Sequence, residues 1–308
     1  LGEAQGNLAF QVAIALSVGI NALLSPAIGA LSDRAGRRLP FLFGFTALAI
    51  VPTLAIPSVP PLAGVALFCV ANFGYQAALV YYDASITLVS TPENRGRISG
   101  IGNGLGYLGT ILIGLIILFG GLSVQQVFIV APLLFALLAT PIFLVLRETP
   151  DPVRDRTPHW MPVRATLRTI RELGRYPGLR RFLLARFFYT DALNTVIALM
   201  AVYAVKAVGF TEASANYVLV ALATTAVIGG LIFGIVTDRF GPKRTLMIVL
   251  VLWAAGLIVA TAFLSPAPFI LAGILIGLGF GGLGGADRVF MLRLSPADRL
   301  GEFYGLYG

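Results

Sequence analysis

The chain has 308 residues, of which 57% are hydrophobic and 12% charged, with a mean hydropathy of +0.89 and a net charge of +8. A soluble domain carries about 25% charged residues, so this composition excludes an ordinary globular protein. A single cysteine, Cys69, excludes an intrachain disulfide framework and a cysteine-based metal cage.

Apolar runs follow one another at 8–31, 40–57, 62–90, 98–119, 124–146, 181–205, 212–237, 245–264 and 267–294. About 20 apolar helical residues cross a hydrocarbon layer of ~30 Å. Hydrocarbon offers the backbone no hydrogen-bond partners, so spanning runs of this kind are helices. The runs predict an all-α integral membrane protein embedded in a lipid bilayer, with nine spans. If each run crosses, every Lys and Arg except Lys206 falls on one side or at its margin. The positive-inside rule makes that side cytoplasmic, together with the loops after residues 31, 90, 146, 237 and 294. The basic excess is therefore topological, and nucleic acid is not an expected partner.

The first loop repeats late in the chain. In GALSDRAGRR (29–38), Gly29, Asp33, Arg34 and Gly36 correspond to Gly234, Asp238, Arg239 and Gly241 of GIVTDRFGPKR (234–244), each at an offset of 205. STPENRGRISG (90–100) likewise echoes SPADRLGEFYG (295–305), with Arg95 matching Arg299. Two parallel copies of a several-helix unit are the expected organisation.

The acid–Gly–basic signature resembles the loop motif between helices 2 and 3 of the major facilitator superfamily, and the PxxR stretch resembles that superfamily's motif after helix 4. YYDASITLVSTPENRGRISGIGNGLGYLG, FLLARFFYTDALNT and GADRVF…GEFYGLYG further resemble its UMF group, which includes the autophagy-related vacuolar amino-acid effluxers of fungi and bacterial relatives. The resemblance implies two six-helix halves. Residues 1–146 would supply helices 2–6, 147–180 a cytoplasmic linker and 181–308 helices 7–10. Helix 1 is then expected before Leu1, and helices 11 and 12 from YGLYG onward. Within the linker, Val163, Leu167, Ile170 and Gly174 predict an amphipathic surface helix over 160–176.

Gly36 suits a tight loop, and Gly29 allows a neighbouring helix to come close. Asp33 sits at a span end, where it can pair with arginines or meet another helix's positive N-terminus. The resemblance implies a gate. Its residues are Gly29, Asp33, Arg34, Gly36, Arg37 and Arg95 in the first half, and Gly234, Asp238, Arg239, Gly241 and Arg244 in the second. A plain topology anchor is the alternative.

A charge at a helix centre costs about 2.5–3.5 kcal/mol on insertion scales, so such groups face an interior or a cavity. Asp83, Asp191, Asp287 and Arg288 are of this kind, and their distances from the loop motifs put the three acids at a common depth near the midplane. Asn72, Gln76 and Asp83 share one helical face, and Asn194 accompanies Asp191. These residues form the expected substrate and proton pathway, with pairing among the charges as the alternative. Arg288 is expected to neutralise an acid or bind a substrate carboxylate. Arg186 is expected to reach toward the cytoplasmic surface, leaving Asp191 as the proton-binding group.

GLGYLG (104–109) and GLGFGG (277–282) fit a dinucleotide pattern but lie inside spans, where small residues serve close packing. No cofactor is expected, and His159 alone makes no metal site. The expected function is a monomeric, proton-coupled secondary transporter of amino acids or related small metabolites, not an enzyme. A bacterial cytoplasmic membrane or a eukaryotic vacuolar membrane would house it. An exporter of drugs or other metabolites and a non-transporting sensor or scaffold are the alternatives.

Overall fold

The structure is a computed structural model that describes residues 3–148 and 169–308. Among them nine helices are long and apolar enough to cross a membrane, and no strand occurs. They are α1 (Glu3–Ala35), α2 (Leu39–Ala55), α3 (Pro61–Ala84), α5 (Arg95–Gly120), α6 (Val124–Val145), α7 (Pro177–Lys206), α8 (Glu212–Phe240), α9 (Pro242–Ala262) and α10 (Pro266–Leu294). Two short helices join them, α4 (Ile86–Val89) and α11 (Leu300–Tyr307).

Local chemistry sets the ends. Proline opens α3, α7, α9 and α10, where its fixed φ suits the first turn and its missing N–H leaves nothing unpaired. Ser123 and Gln126 form a reciprocal capping box before α6. α1 and α8 stop at the equivalent glycines Gly36 and Gly241, with φ of 65° and 85°, a backbone region that residues with a Cβ resist.

Two expectations need correction. The run over 62–90 is not one helix: α3 stops at Ala84 and the chain resumes as α4. At this break the Ser85 hydroxyl donates to the Tyr81 carbonyl at 2.6 Å. The loop motif at 295–305 is itself partly helical, since α11 begins at Leu300. Most of the amphipathic segment expected over 160–176 lies outside the described residues. Its tail, 169–172, is helical and runs into a 3-10 turn at Leu173–Arg175.

The chain divides into two compact units. The first comprises Leu1–Val89, Leu122–Arg180 and Leu294–Gly308, and the second Ser90–Gly121 and Arg181–Arg293. Each unit therefore combines helices from the first and second halves of the chain. In the first, Ile28, Leu42, Ala77, Ala78 and Tyr81 form a core with Phe41, Phe45 and Phe73 around it. The buried Tyr81 hydroxyl donates to the Ile28 carbonyl at 2.6 Å. In the second, Ala204, Val208, Ala215 and Phe269 pack with Tyr203, whose hydroxyl donates to the Ala260 carbonyl at 2.6 Å. Leu137, Leu144 and Val251 are exposed, as an outer surface bathed in lipid requires.

One contact occurs once in each unit. In the first, α1 crosses α11 at Ser25, Gly29, Gly301 and Gly305. A Cβ on Gly29 would overlap the Gly301 carbonyl, and one on Gly305 would overlap the Ser25 carbonyl. In the second, α8 crosses α5 at Gly230, Gly234, Gly96 and Gly100. A Cβ on Gly96 would overlap the Gly234 carbonyl, and one on Gly100 the Gly230 carbonyl. These four pairs of positions are related by the same offset of 205. Lipid tails supply no hydrophobic force between helices, so association rests on backbone proximity of this kind.

Gly100→Ala is therefore expected to destabilise the detergent-purified protein by about 1–3 kcal/mol, the usual penalty for overpacking. Gly106 has nothing within 4 Å of its would-be Cβ, so Gly106→Ala is expected to be neutral or slightly stabilising. Thermal unfolding of the two variants checks the contrast.

Candidate functional site

The glycine contacts bring a carboxylate against an open helix end in each unit. The first N–H groups of a helix have no intrahelical acceptor. At the start of α11 the Gly301 N–H donates to Asp33 Oδ1 and the Glu302 N–H to Asp33 Oδ2, both at 2.9 Å. At the start of α5 the Gly96 N–H donates to Asp238 Oδ1 at 2.6 Å and the Arg97 N–H to Asp238 Oδ2 at 3.0 Å. Each acid thus caps a helix distant in sequence, and the two caps again correspond at offset 205. A carboxylate cap of this type stabilises a helix end by about 0.5–2 kcal/mol.

The basic partners are not the neighbours that the motif suggests. Asp33 lies 3.9 Å from the Arg38 guanidinium, and Asp238 takes a hydrogen bond from Arg97 Nε at 3.2 Å. Arg34, Arg37, Arg239 and Arg244 are exposed, and Arg239 lies over the Phe240 ring. Arg38 also donates to the Ala84 carbonyl at 2.9 Å and the Thr87 hydroxyl at 3.1 Å, tying the loop to the α3–α4 break. Its own N–H and that of Leu39 donate to Glu148, which thereby caps α2.

Arg95 and its counterpart Arg299 differ. Arg95 Nε is buried and makes no hydrogen bond among the described residues. Arg299 donates to Glu302 at 2.8 Å and to Glu172 at 2.6 Å and lies over the Phe303 ring. Glu302, and after it Glu172, holds the Arg299 guanidinium still more firmly protonated. Thr169 donates to Glu302, and Tyr176 meets Phe303 edge-on. The end of the linker therefore docks on the start of α11.

The expected pathway residues fall in both units. In the first, Asn72 donates to the Ser17 hydroxyl on α1 at 2.6 Å, Gln76 is half-buried, and Asp83 sits half-buried beside the α3–α4 break. In the second, Asp191 lies halfway along α7 with its side chain exposed, and Asn194 is exposed one turn on. Asp287, seven residues before the end of α10, is buried. The three acids thus differ in burial and in position along their helices.

Asp287 accepts a hydrogen bond from Arg186 Nε at 3.1 Å and another from the Tyr189 hydroxyl at 2.5 Å. Arg186 is therefore a partner of the buried acid, in place of the expected reach toward the surface. Its spacing from Tyr189, one helical turn, was the available signal. Arg288, also buried, donates to the Ser99 hydroxyl at 3.0 Å and the Ser99 carbonyl at 3.2 Å, and Ser99 donates to the Gly285 carbonyl at 2.9 Å. With Asn103 donating to the Gly281 carbonyl at 2.8 Å, these bonds brace α10 against α5.

Residues 3–308 match the family model of the Major Facilitator Superfamily. A Bacillus subtilis (strain 168) protein, the uncharacterized MFS-type transporter YxiO, is 26% identical over 326 positions, covering all of this chain and 75% of that protein. An uncharacterized protein of Aquifex aeolicus (strain VF5) is 28% identical over 92% of this chain and 72% of its own length. Two solved structures share the fold. The human organic anion transporter MFSD10 aligns with a TM-score of 0.78 at 16% identity, over 96% of this chain and 73% of its own. The transporter FucP, in its outward conformation, aligns with a TM-score of 0.73 at 17% identity, over 99% and 80%. Family match, nine spans and fold agree, and the chain belongs to the Major Facilitator Superfamily as a multi-pass membrane transporter.

Proposed function

We propose that the chain is a secondary active transporter that carries a small solute, an amino acid or a related metabolite, by alternating access with protons as the coupling ion. The observation that carries this reading is the pair of equivalent carboxylate caps. α1 and α5 belong to the first half of the chain, and α11 and α8 to the second. Asp33 and Asp238 therefore join the halves at the end bearing the loop motifs. The positive-inside rule makes that end cytoplasmic, in a bacterial cytoplasmic membrane.

Magnitudes fit a gate that closes and reopens. Two caps of about 0.5–2 kcal/mol each bias the equilibrium roughly 5- to 700-fold toward the closed state. A shift from 1:99 to 99:1 takes about 5.5 kcal/mol of differential binding, a size within reach of a small solute and a proton. Residues 1–146 and 181–308 rock as halves, with 147–180 as their link, and the unit of function is the monomer.

The coupling role falls to Asp191. Its charge lies midway along an apolar helix, where carrying it through a change of surroundings costs about 2.5–3.5 kcal/mol on insertion scales. A proton removes that charge. The charge of Asp287, in contrast, is already matched by Arg186.

In proteoliposomes of the full-length protein, Asp33→Asn and Asp238→Asn are each expected to lower the maximal transport rate about fivefold, the equivalent of ~1 kcal/mol, with half-saturation changed by less than about threefold. A large loss of affinity at an unchanged maximal rate would show that these acids bind solute instead of gating. Asp191→Asn is expected to abolish accumulation driven by a pH gradient while counterflow exchange continues. Undiminished accumulation by that variant would remove Asp191 from the coupling mechanism.

A further inference from the structure

We infer that the α8–α9 loop of the second unit is a binding surface for an anionic phospholipid, whose headgroup phosphate sits among Arg239, Lys243, Arg244 and Arg293. Binding of this kind is independent of which solute the protein carries.

Positive charge collects at this loop. The stretch 234–244 holds Arg239, Lys243 and Arg244 and a single acid, Asp238. Asp238 is already engaged, since its oxygens accept from the Gly96 and Arg97 N–H groups and from Arg97 Nε. From the end of α10, Arg293 reaches the same loop, with Nη1 3.5 Å from where a Cβ on Gly241 would stand. Arg239, Lys243, Arg244 and Arg293 are exposed. The side chains of Lys243, Arg244 and Arg293 make no hydrogen bond or ion pair among the described residues, and the Arg239 guanidinium lies 5.5 Å from the centre of the Phe240 ring.

The first copy of the motif meets its charges with acids of its own. Arg299 pairs with Glu172 and Glu302, and Glu148 takes the N–H groups of Arg38 and Leu39. In the second copy the position of Glu302 belongs to Arg97, and Arg95, the counterpart of Arg299, has a buried Nε without a hydrogen bond among the described residues. A headgroup phosphate brings to the second copy the negative charge that Glu172 and Glu302 bring to the first. Guanidinium groups match phosphate oxygens with paired N–H donors, and Lys243 adds a point charge.

The adjoining surface selects a lipid over a soluble anion. Ile232, Ile235 and Arg239 follow one another at spacings of three and four on α8, and Arg244, Met247 and Val251 do so on α9, which places each set on one helical face. All six are exposed. Each helix thus carries an apolar stripe that ends in a cation at its terminus, the level at which headgroups lie. A phospholipid fits both parts, with acyl chains along the stripes and phosphate among the cations. Inorganic phosphate fits only the second.

Native mass spectrometry of the detergent-purified full-length protein tests the assignment, with phosphatidylglycerol and phosphatidylethanolamine of identical acyl chains as probes. Wild type is expected to bind phosphatidylglycerol about tenfold more tightly or better. Lys243→Gln with Arg293→Gln should weaken phosphatidylglycerol about thirtyfold, the equivalent of ~2 kcal/mol for two cations near an anionic surface, and leave phosphatidylethanolamine within about twofold. If that pair fails to fold, Lys243→Gln alone decides, with an expected loss of about fivefold. Lys243→Arg with Arg293→Lys keeps both charges and should keep the preference. Arg175→Gln with Arg180→Gln, at exposed positions of the first unit, should change it less than about threefold, and excess inorganic phosphate should leave the lipid bound. Equal binding of the two lipids by wild type, a preference that survives loss of the Lys243 and Arg293 charges, or an equal loss in the Arg175 and Arg180 pair overturns the site. Displacement by inorganic phosphate reveals a site for soluble anions and overturns the lipid assignment.

Discussion

A carboxylate on one helix can satisfy the open N–H groups of another only if the two backbones nearly touch, and most of this structure depends on that condition. Asp33 reaches Gly301 and Glu302 because Gly29, Gly301 and Gly305 remove the side chains that would hold α1 and α11 apart. Asp238 reaches Gly96 and Arg97 because Gly96, Gly100, Gly230 and Gly234 do the same for α5 and α8. In a bilayer the apolar faces of these helices gain nothing by meeting each other instead of lipid. Close backbone packing and a charge-assisted cap are what remain to hold them, and both are lost together when the helices part. Attraction of this short-range kind suits the gate proposed above.

The two contacts share a plan and differ in wiring. Arg97 and Glu302 occupy equivalent positions, so Asp238 faces a cation where Asp33 faces an anion. The like charges at Asp33 and Glu302 are tolerated because Arg299 takes up Glu302 and Arg38 stands near Asp33. Arg299 also binds Glu172, while Thr169 and Tyr176 meet Glu302 and Phe303, so the linker's tail stabilises the first contact. Duplication explains the common geometry, and divergence at single positions has given each copy its own electrostatic support.

Much of this architecture was legible in the residues themselves. The spans followed from apolar length, because hydrocarbon permits no other backbone arrangement, and the helices end within a few residues of the expected runs. The offset of 205 identified equivalent positions, and Gly36 and Gly241 both take the positive φ that suits their loops. An offset reveals equivalence but not contact, however. Nothing local to Asp33 names α11 as its partner, since that pairing depends on Gly301, 268 residues away. The break at Ser85 has no local sign of its own, since neither proline nor glycine marks it. Arg186 illustrates the same difficulty: its position near a span end suggested a route to the surface, whereas the carboxylate that holds it lies on α10. Helix formation is written locally, and helix pairing is not.

We propose that the α1–α11 contact opens and closes as the protein works. Its most direct test is the distance between spin labels at Ala35→Cys and Ala297→Cys, both exposed positions beside the Asp33 cap, in full-length protein with Cys69 replaced by serine. One short distance is expected at rest, and a second, longer population during solute turnover. A single unchanged short distance in protein that is actively transporting would contradict it.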